Sequence, residues 1–187
     1  MFLDMAAVET SEESLIRLAQ HGDRDAFHDL VIQHHAGTIN VVFRMCGDAN
    51  LAEDAAQTAF IRAWQHLPQY KPQASFRSWL YRIAVNAALD ILRSEKPTIN
   101  LEELVLGSAA QPVEHQVEQQ QQTQILRKAV LALPDASRAV LVLREYEGLS
   151  YQEISDTLDI PIGTVMSRLN YARKSLVEQL RNSMEAA

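Results

Sequence analysis

Residues 148–176 read GLSYQEISDTLDIPIGTVMSRLNYARKSL. Ser150 and Glu153 are spaced as a capping box, so a helix should begin at Tyr151. The DIP sequence at 159–161 should end that helix, because a residue before a proline disfavours the α region. A second helix should follow, since a proline is tolerated in the first turn of a helix. The stretch therefore predicts a helix-turn-helix.

The second helix of this motif has two distinct faces. Apolar residues recur at spacings of four, three and four and should face a core; they are Val165, Leu169, Ala172 and Leu176. The other side carries Thr164, Ser167, Arg168, Tyr171 and Lys174. Small polar groups, a guanidinium and a flat ring suit a helix in the major groove of DNA. The alternative is a helical hairpin that only packs, but such a hairpin needs no polar face of this kind.

The composition predicts an all-α protein of two small domains. The chain has 187 residues, few aromatics and no sustained strand-like alternation. Because Cys46 is the one cysteine, an internal disulfide is excluded, which agrees with a cytoplasmic location. Cys46 follows an apolar run and is expected to be buried. No apolar run is long enough to span a membrane, and residues 1–10 lack the basic flank of a signal peptide. We interpret residues 1–10 as a disordered tail.

The charge is unusual for a protein that binds DNA alone. The formal net charge is −7, made up of −4 in residues 1–95, −3 in residues 96–122 and zero in residues 123–187. Neutralisation of phosphates by Lys and Arg supplies most non-specific DNA affinity. Either the DNA contact is very local, or another molecule holds the DNA.

Residues 11–95 contain a series of predicted helices. Ser11 and Asp23 should cap the first two, and Gly37 should kink or interrupt the second. His34 and His35 are adjacent and point to different faces, and no partner completes a recognisable site, so no metal is predicted.

The predicted helix at 50–67 has an alanine-rich apolar stripe. Asp54, Gln57 and Ile61 fall on its opposite side. An isoleucine among polar neighbours indicates either a partner surface or a chance exposed side chain.

The next predicted helix, FRSWLYRIAVNAALDILR, follows a polar loop. Its outer ridge carries Trp79, Arg82, Asn86 and Asp90, spaced three, four and four. Such side chains can stack on a base and hydrogen-bond base edges. The alternative is that Trp79 only covers the edge of the core.

Residues 96–122 change character and are predicted to be a flexible linker, with helix resuming within the glutamines. Residues 123–183 should form four short helices. The first spans 124–133, and Asp135 should cap the second.

Four motifs in this order resemble one family. They are LAQHGDRDAF, AEDAAQTAFIRAW, FRSWLYRIAVNAALD, and LPDASRAVLVLREYEGLSYQEIS with GTVMSRL. The chain from about residue 11 to 180 is similar to the extracytoplasmic-function sigma factors of the sigma-70 family. The resemblance implies a region-2 domain at 11–95 that binds core RNA polymerase and opens the −10 promoter element. It implies a region-4 domain at 123–183 that recognises the −35 element.

The resemblance also assigns site residues. Those implied at the −10 element are Tyr70, Lys71, Phe76, Trp79, Arg82, Asn86 and Asp90. Those implied at the −35 element are Thr164, Ser167, Arg168, Asn170, Tyr171, Arg173 and Lys174. The face of Asp54, Gln57 and Ile61 would meet the clamp coiled coil of the polymerase. The polymerase flap and an anti-sigma factor are further implied partners, and no cofactor is implied.

The chain departs from the family pattern at two places. Family members often carry Lys or Arg where Met166 stands, and His-Arg or a similar pair at Asn170-Tyr171. These departures predict fewer phosphate contacts and an altered −35 preference. Two rival functions are a helix-turn-helix regulator and a sigma mimic that only binds an anti-sigma factor. An enzyme is not expected, because no nucleophile–base pair, metal cluster or phosphate loop is recognisable.

Overall fold

The computed structural model of the protein describes residues 11–72, 74–94 and 114–185. The described residues form eight α-helices and no strand. The helices are α1 Glu12–Gln20, α2 Arg24–Cys46, α3 Ala49–His66, α4 Phe76–Ser94, α5 Glu114–Leu131, α6 Asp135–Leu141, α7 Tyr151–Leu158 and α8 Ile162–Glu185. A 3₁₀ turn at Leu67–Gln69 follows α3, and a π-helical turn at Val142–Tyr146 continues α6. The all-α prediction is confirmed.

Side-chain caps begin the first helices as predicted. The Ser11 side chain accepts from the Ser14 backbone N–H at 3.3 Å, and Asp23 accepts from two backbone N–H groups of the first turn of α2. The predicted cap at Asp135 is wrong. The carbonyl of Pro134 already accepts from the N–H groups of Ser137 and Arg138, so α6 begins one residue earlier and Asp135 lies inside it.

Gly37 does not break α2, which is continuous from Arg24 to Cys46. The glycine instead allows α4 to approach. A Cβ atom at Gly37 would lie 2.5 Å from the Tyr81 Oη, closer than any normal contact. The predicted kink is therefore wrong, because tertiary packing and not local bending requires the glycine.

Two helices are longer than predicted. Residues 114–122, assigned to the linker by sequence, belong to α5, and the remainder of that linker lies outside the described residues, as does the predicted tail at 1–10. Glutamine and glutamate are good helix formers, which suits the sequence of this stretch. The last helix, α8, continues to Glu185.

The helices pack around two apolar clusters. One lies among α1, α2, α3 and α4 and includes Leu15, Leu30, Leu67 and Leu80. The other runs from α2, α3 and α4 into α5–α8, so it crosses between the two helical domains. Its buried members are 0–4 % exposed, as in a single continuous core. The two domains thus pack directly on each other, which the sequence did not predict.

Three smaller observations complete the fold. Cys46 is half-buried and not fully buried as predicted. The Nε2 of His34 lies 2.7 Å from Glu12 Oε1, and no group of His, Cys, Asp or Glu among the described residues is arranged to hold a metal. Within the same residues, no helix is both long and apolar enough to cross a bilayer.

Candidate nucleic-acid interface

The predicted helix-turn-helix is formed by α7 and α8. Both halves of the capping box are present: Ser150 Oγ accepts from the Glu153 N–H at 3.2 Å, and Glu153 Oε2 accepts from the Ser150 N–H at 2.7 Å. These hydrogen bonds lower the pKa of Glu153. Asp159 ends α7 in the left-handed conformation with φ 54°, which aspartate tolerates better than most residues.

The second helix of the motif, α8, has the two faces that its sequence predicts. Val165, Leu169 and Ala172 are fully buried, and Leu176 packs against the same cluster. The exposed side carries Ser167, Asn170, Tyr171 and Lys174, while Thr164 and Arg168 are half-buried. Met166 is 48 % exposed on the flank of this face. The polar groups predicted for the −35 element therefore share one side of α8, with Met166 beside them.

One of the predicted −35 cations is already paired. The guanidinium of Arg173 donates to Glu145 Oε1 from Nε at 3.1 Å and from Nη2 at 2.6 Å. The hydrogen bonds that Arg173 donates to Glu145 raise the pKa of Arg173. In this conformation Lys174 and Arg168 are the better placed of the three cations to meet phosphates or bases.

The predicted ridge on α4 is largely open. Arg82, Asn86 and Asp90 are exposed, and Trp79 is half-buried. Asp90 is held by Arg62 Nη1 at 2.8 Å and lies 3.7 Å from Arg93 Nη1. A carboxylate can accept more than these contacts, so Asp90 keeps capacity for a base. Asn86 is the one member of the ridge whose amide can both donate and accept.

The loop before α4 rests on three aromatic rings. The rings of Tyr70 and Trp79 lie 4.9 Å apart, and those of Phe76 and Trp79 lie 5.5 Å apart. Tyr70 Oη donates to the carbonyl of Ala74 at 2.8 Å, which ties the loop to itself.

Tyr70 and Phe76 are only 8 % and 3 % exposed, so both rings are largely covered in this conformation. Their contact with the −10 element stays a prediction. Burial raises the pKa of Tyr70, as expected for a phenol in the core. Lys71 is exposed and can reach a phosphate.

The third predicted surface lies on α3. Asp54, Gln57 and Ile61 are all exposed, and Ile61 keeps 58 % of its surface. Ile61 and Gln57 border a groove of about 340 Å³ between α2 and α3. The groove is lined by Val31, His35, Ile39, Glu53, Ala56, Gln57, Phe60 and Ile61. The rings of His35 and Phe60 stack with centroids 6.2 Å apart and form one wall. An exposed isoleucine beside an apolar groove is typical of a protein-binding surface.

Comparisons with known proteins agree with both domains. The sequence matches Sigma-70 region 2 over residues 30–98 and Sigma-70, region 4, over residues 123–176. It is 35 % identical to the ECF RNA polymerase sigma factor SigW of Bacillus subtilis, covering 89 % of this chain and 95 % of that protein. The chain belongs to the extracytoplasmic-function sigma factors of the sigma-70 family. This sigma factor is also 31 % identical to the RNA polymerase sigma-H factor of Pseudomonas aeruginosa, covering 96 % of this chain and 98 % of that protein.

Solved structures agree on the fold of this sigma factor. It matches CnrH, solved in complex with the cytosolic domain of CnrY, with a TM-score of 0.69 at 24 % identity over 91 % of this chain and 97 % of that chain. It matches RpoE of Bartonella quintana, solved with the anti-sigma factor NepR, with a TM-score of 0.64 at 21 % identity over 83 % of this chain and 96 % of that chain.

An arginine that the sequence motifs did not single out lies in the core of the sigma factor. Arg138 is 6 % exposed, and its guanidinium donates to the carbonyls of Met45, Leu131 and Leu133 at 2.5, 2.5 and 2.9 Å. Desolvation lowers the pKa of Arg138, and Asp135 partly offsets this. An arginine within the apolar run SRAVLVL was the available indication of a buried cation.

Proposed function

We propose that this sigma factor directs core RNA polymerase to promoters and opens the −10 element, using α4 for the −10 element and α8 for the −35 element. The observation that carries the proposal is the pair of exposed polar faces, one in each domain. The ridge of Arg82, Asn86 and Asp90 lies within the matched region 2, and the outer face of α8 lies within the matched region 4.

At the −10 element, the protein would contact a base that has flipped out of the duplex. Flipping a base costs a few kcal/mol, which pocket contacts must repay. Trp79 offers a stacking ring supported from below by Tyr70 and Phe76, and Asn86 offers an amide on the same helix face. Lys71 and Arg82 would hold the adjacent phosphates.

The −35 contact would be made by α8 in the major groove. Arg168 can donate twice to a guanine edge, and Ser167, Asn170 and Tyr171 supply smaller polar contacts. Thr164 and Lys174 flank these groups, and Arg173 would have to leave Glu145 before it could meet a phosphate.

Polymerase binding is proposed for the exposed face of α3. The net charge of −7 leaves the free protein a poor DNA binder, so a partner must supply phosphate contacts. Asp54 and Gln57 would make polar contacts with the clamp coiled coil, while Ile61 would insert an apolar side chain. The region-4 domain would dock on the flap of the polymerase.

The decisive experiment substitutes Ile61 by Glu and measures run-off transcription with core polymerase. The side chain is 58 % exposed, so the substitution should leave folding intact, as checked by circular dichroism. Loss of a buried apolar contact, with a carboxylate forced into an interface, should reduce polymerase binding at least tenfold. Leu18→Glu on α1, where the side chain is 48 % exposed, is the matched control and should transcribe normally.

Transcription by Ile61→Glu at the wild-type level would refute the α3 contact. Tight, sequence-specific binding of promoter duplex by the free protein, without any polymerase, would instead favour an ordinary helix-turn-helix regulator. Wild-type protein that binds neither polymerase nor promoter would favour a sigma mimic.

The remaining parts of the proposal follow from this function. A transcription initiation factor works beside the chromosome, so the protein would be cytoplasmic and would act by binding and not as an enzyme. An anti-sigma factor would regulate it by covering the α3 face or the α4 ridge. One structural match, RpoE of Bartonella quintana, was solved with the anti-sigma factor NepR, and another, CnrH, was solved with the cytosolic domain of CnrY.

A further inference from the structure

We infer that Ile162 and Met166, at the start of α8, select thymine in the −35 element by covering its C5-methyl group. The inference rests on the proposed function, because it names bases that the same helix would contact. It adds two apolar, specificity-determining side chains to a helix whose other contacts with DNA are polar.

Two apolar side chains remain open to solvent in the first turns of α8. Ile162 is 44 % exposed and Met166 is 48 % exposed. They are four residues apart, so they lie next to each other on one flank of the helix. Val165, from the same turn, is fully buried and already supplies the contact with the core. The exposed pair is therefore available to another molecule.

The same flank continues with polar groups. Asn170 is exposed one turn beyond Met166, and Ser167 is exposed beside it. The Ser167 hydroxyl donates to the carbonyl of Thr164 at 3.0 Å, so its oxygen is left to accept from a partner. A molecule that covers this flank meets apolar groups and hydrogen-bonding groups together.

The major groove of DNA presents the same mixture. Its base edges carry hydrogen-bond donors and acceptors, and the C5-methyl of thymine is the apolar group among them. An apolar protein surface over Met166 would leave the neighbouring amide of Asn170 without a partner, which costs free energy. A thymine with other bases beside it satisfies both side chains.

The charge of these turns suits a polyanion. Residues 162–169 contain no acidic side chain, and Arg168 supplies a cation on the other flank. The first acidic residue of α8 is Glu178, about 24 Å further along the axis than Ile162. A duplex can therefore approach the start of α8 without repulsion from a carboxylate of this helix.

The rise of the helix sets how many bases are within reach. Ile162, Met166 and Asn170 follow one another at intervals of about 6 Å along the axis. Base pairs are stacked about 3.4 Å apart, so the three side chains span about four base pairs. An asparagine can pair with the N6 and N7 atoms of adenine. The expected −35 element therefore has one or two thymines within about four base pairs of an adenine.

Replacement of thymine by deoxyuridine tests the contact, because it removes the methyl group and keeps every hydrogen-bonding atom of the base. Holoenzyme reconstituted with core polymerase first selects its −35 element from a promoter library randomised in that region. Each thymine of the selected element is then replaced in turn, and the affinity of the holoenzyme is measured. The variants are Met166→Ala and Ile162→Ala.

Val177→Ala is the matched control. Val177 is 57 % exposed, and eleven residues are three full turns of α8, so it lies on the same flank as Met166. It is about 16 Å further along the axis, outside the four base pairs that the first turns reach.

The wild-type holoenzyme should bind about fourfold less tightly for each contacted methyl group that is removed. Met166→Ala should bind the thymine and deoxyuridine promoters equally at one position, and Ile162→Ala should do so at a second. Val177→Ala should lose affinity on deoxyuridine promoters as the wild type does. Met166 is exposed and alanine is the better helix former, so the variant should fold, as checked by circular dichroism.

Met166→Arg gives a second test with a gain of charge. The methyl contact is exchanged for a cation that can reach a phosphate. The preference for thymine at that position should disappear, and the slope of log affinity against log salt concentration should become steeper by about one. Selection of the same −35 element with the same salt slope as the wild type would overturn the inference.

Three further results would also overturn it. Wild-type holoenzyme could bind deoxyuridine promoters as tightly as thymine promoters. Deoxyuridine could weaken the wild type, Met166→Ala and Ile162→Ala equally at every position. Met166→Ala could lose polymerase binding while its choice of thymine is unchanged, which would make the apolar pair a protein-docking surface.

Failure of the proposed function gives a different pattern. The wild-type holoenzyme would then select no −35 sequence from the library, and the proposed function and this inference would fall together. Selection of a −35 element whose thymine methyl groups contribute nothing keeps the proposed function and removes only the thymine contact.

Discussion

Gly37→Ala should destabilise this sigma factor, although alanine is the better helix former. In an unhindered helix the exchange gains about 1 kcal/mol. Here the new Cβ would lie 2.5 Å from Tyr81 Oη, so the ring must move by almost 1 Å to reach ordinary contact. That movement breaks the 2.6 Å hydrogen bond to Glu147, worth about 1.5–3 kcal/mol because its acceptor is charged. With residual strain, we expect a net loss of about 1–3 kcal/mol.

The Tyr81→Phe background should reverse the sign of this effect. Without the hydroxyl, the nearest ring atom to the new Cβ is Cζ at 3.5 Å, an ordinary contact. Gly37→Ala should then stabilise the protein by about 0.5–1 kcal/mol through helix propensity. The two substitutions should therefore be coupled by about 1.5–4 kcal/mol.

Urea unfolding followed by far-UV circular dichroism measures all four proteins of this cycle. Equal changes in the free energy of unfolding for Gly37→Ala in both backgrounds would refute the close approach of Tyr81 to α2. Gly163→Ala is a useful control, because a Cβ there meets nothing within 4 Å and should not be coupled to Tyr81.

Three further predictions concern the DNA-binding faces and the motif that builds them. Asn86→Ala should impair promoter opening more than closed-complex binding, as measured by permanganate footprinting of the −10 region. The control is Gln65→Ala, which removes an exposed amide on α3. Normal melting by the Asn86→Ala protein would mean that the ridge does not bind bases. Arg168→Ala should weaken discrimination between −35 sequences by about 1–3 kcal/mol in promoter competition assays, while polymerase binding persists. The control Arg181→Ala should leave this discrimination unchanged. An equal loss of affinity for all promoter sequences in the Arg168→Ala protein would indicate a phosphate contact instead. Ser150→Ala should cost about 1 kcal/mol of stability at neutral pH. The folded state lowers the pKa of Glu153, so the stability that its carboxylate adds to the capping box should be complete above the ordinary pKa of 4.5. This stability should be lost as the pH falls through the lower pKa of the folded state. Wild-type and Ser150→Ala proteins whose urea midpoints change identically with pH would contradict this expectation.

The buried arginine explains part of the architecture that these tests probe. Arg138 donates to the last carbonyl of α5 and to Met45 near the end of α2, so one side chain stabilises two helix C-termini. A cation at such a position also interacts favourably with the helix dipole. Asp135, which the sequence suggested as a cap, lies 3.3 Å from this guanidinium and balances its charge.

Local sequence was sufficient to predict most helices, their caps and their buried faces. The capping box at Ser150 and Glu153, the cap at Asp23 and the inward face of α8 were all confirmed, because each depends on residues within one or two helical turns. The order of motifs was likewise enough to identify the family. Ile61 was correctly predicted to be exposed, since it stands off the alanine stripe of its helix.

Tertiary structure decided what local spacing cannot encode. Gly37 faces Tyr81, Arg138 reaches Met45, and Arg82 pairs with Asp159 across 77 positions of the chain. Periodicity determines which side of a helix is apolar, but it does not determine which other helix covers that side. The burial of Tyr70 and Phe76, and the closure of one domain on the other, follow from that choice of partners and became visible only in the packed chain.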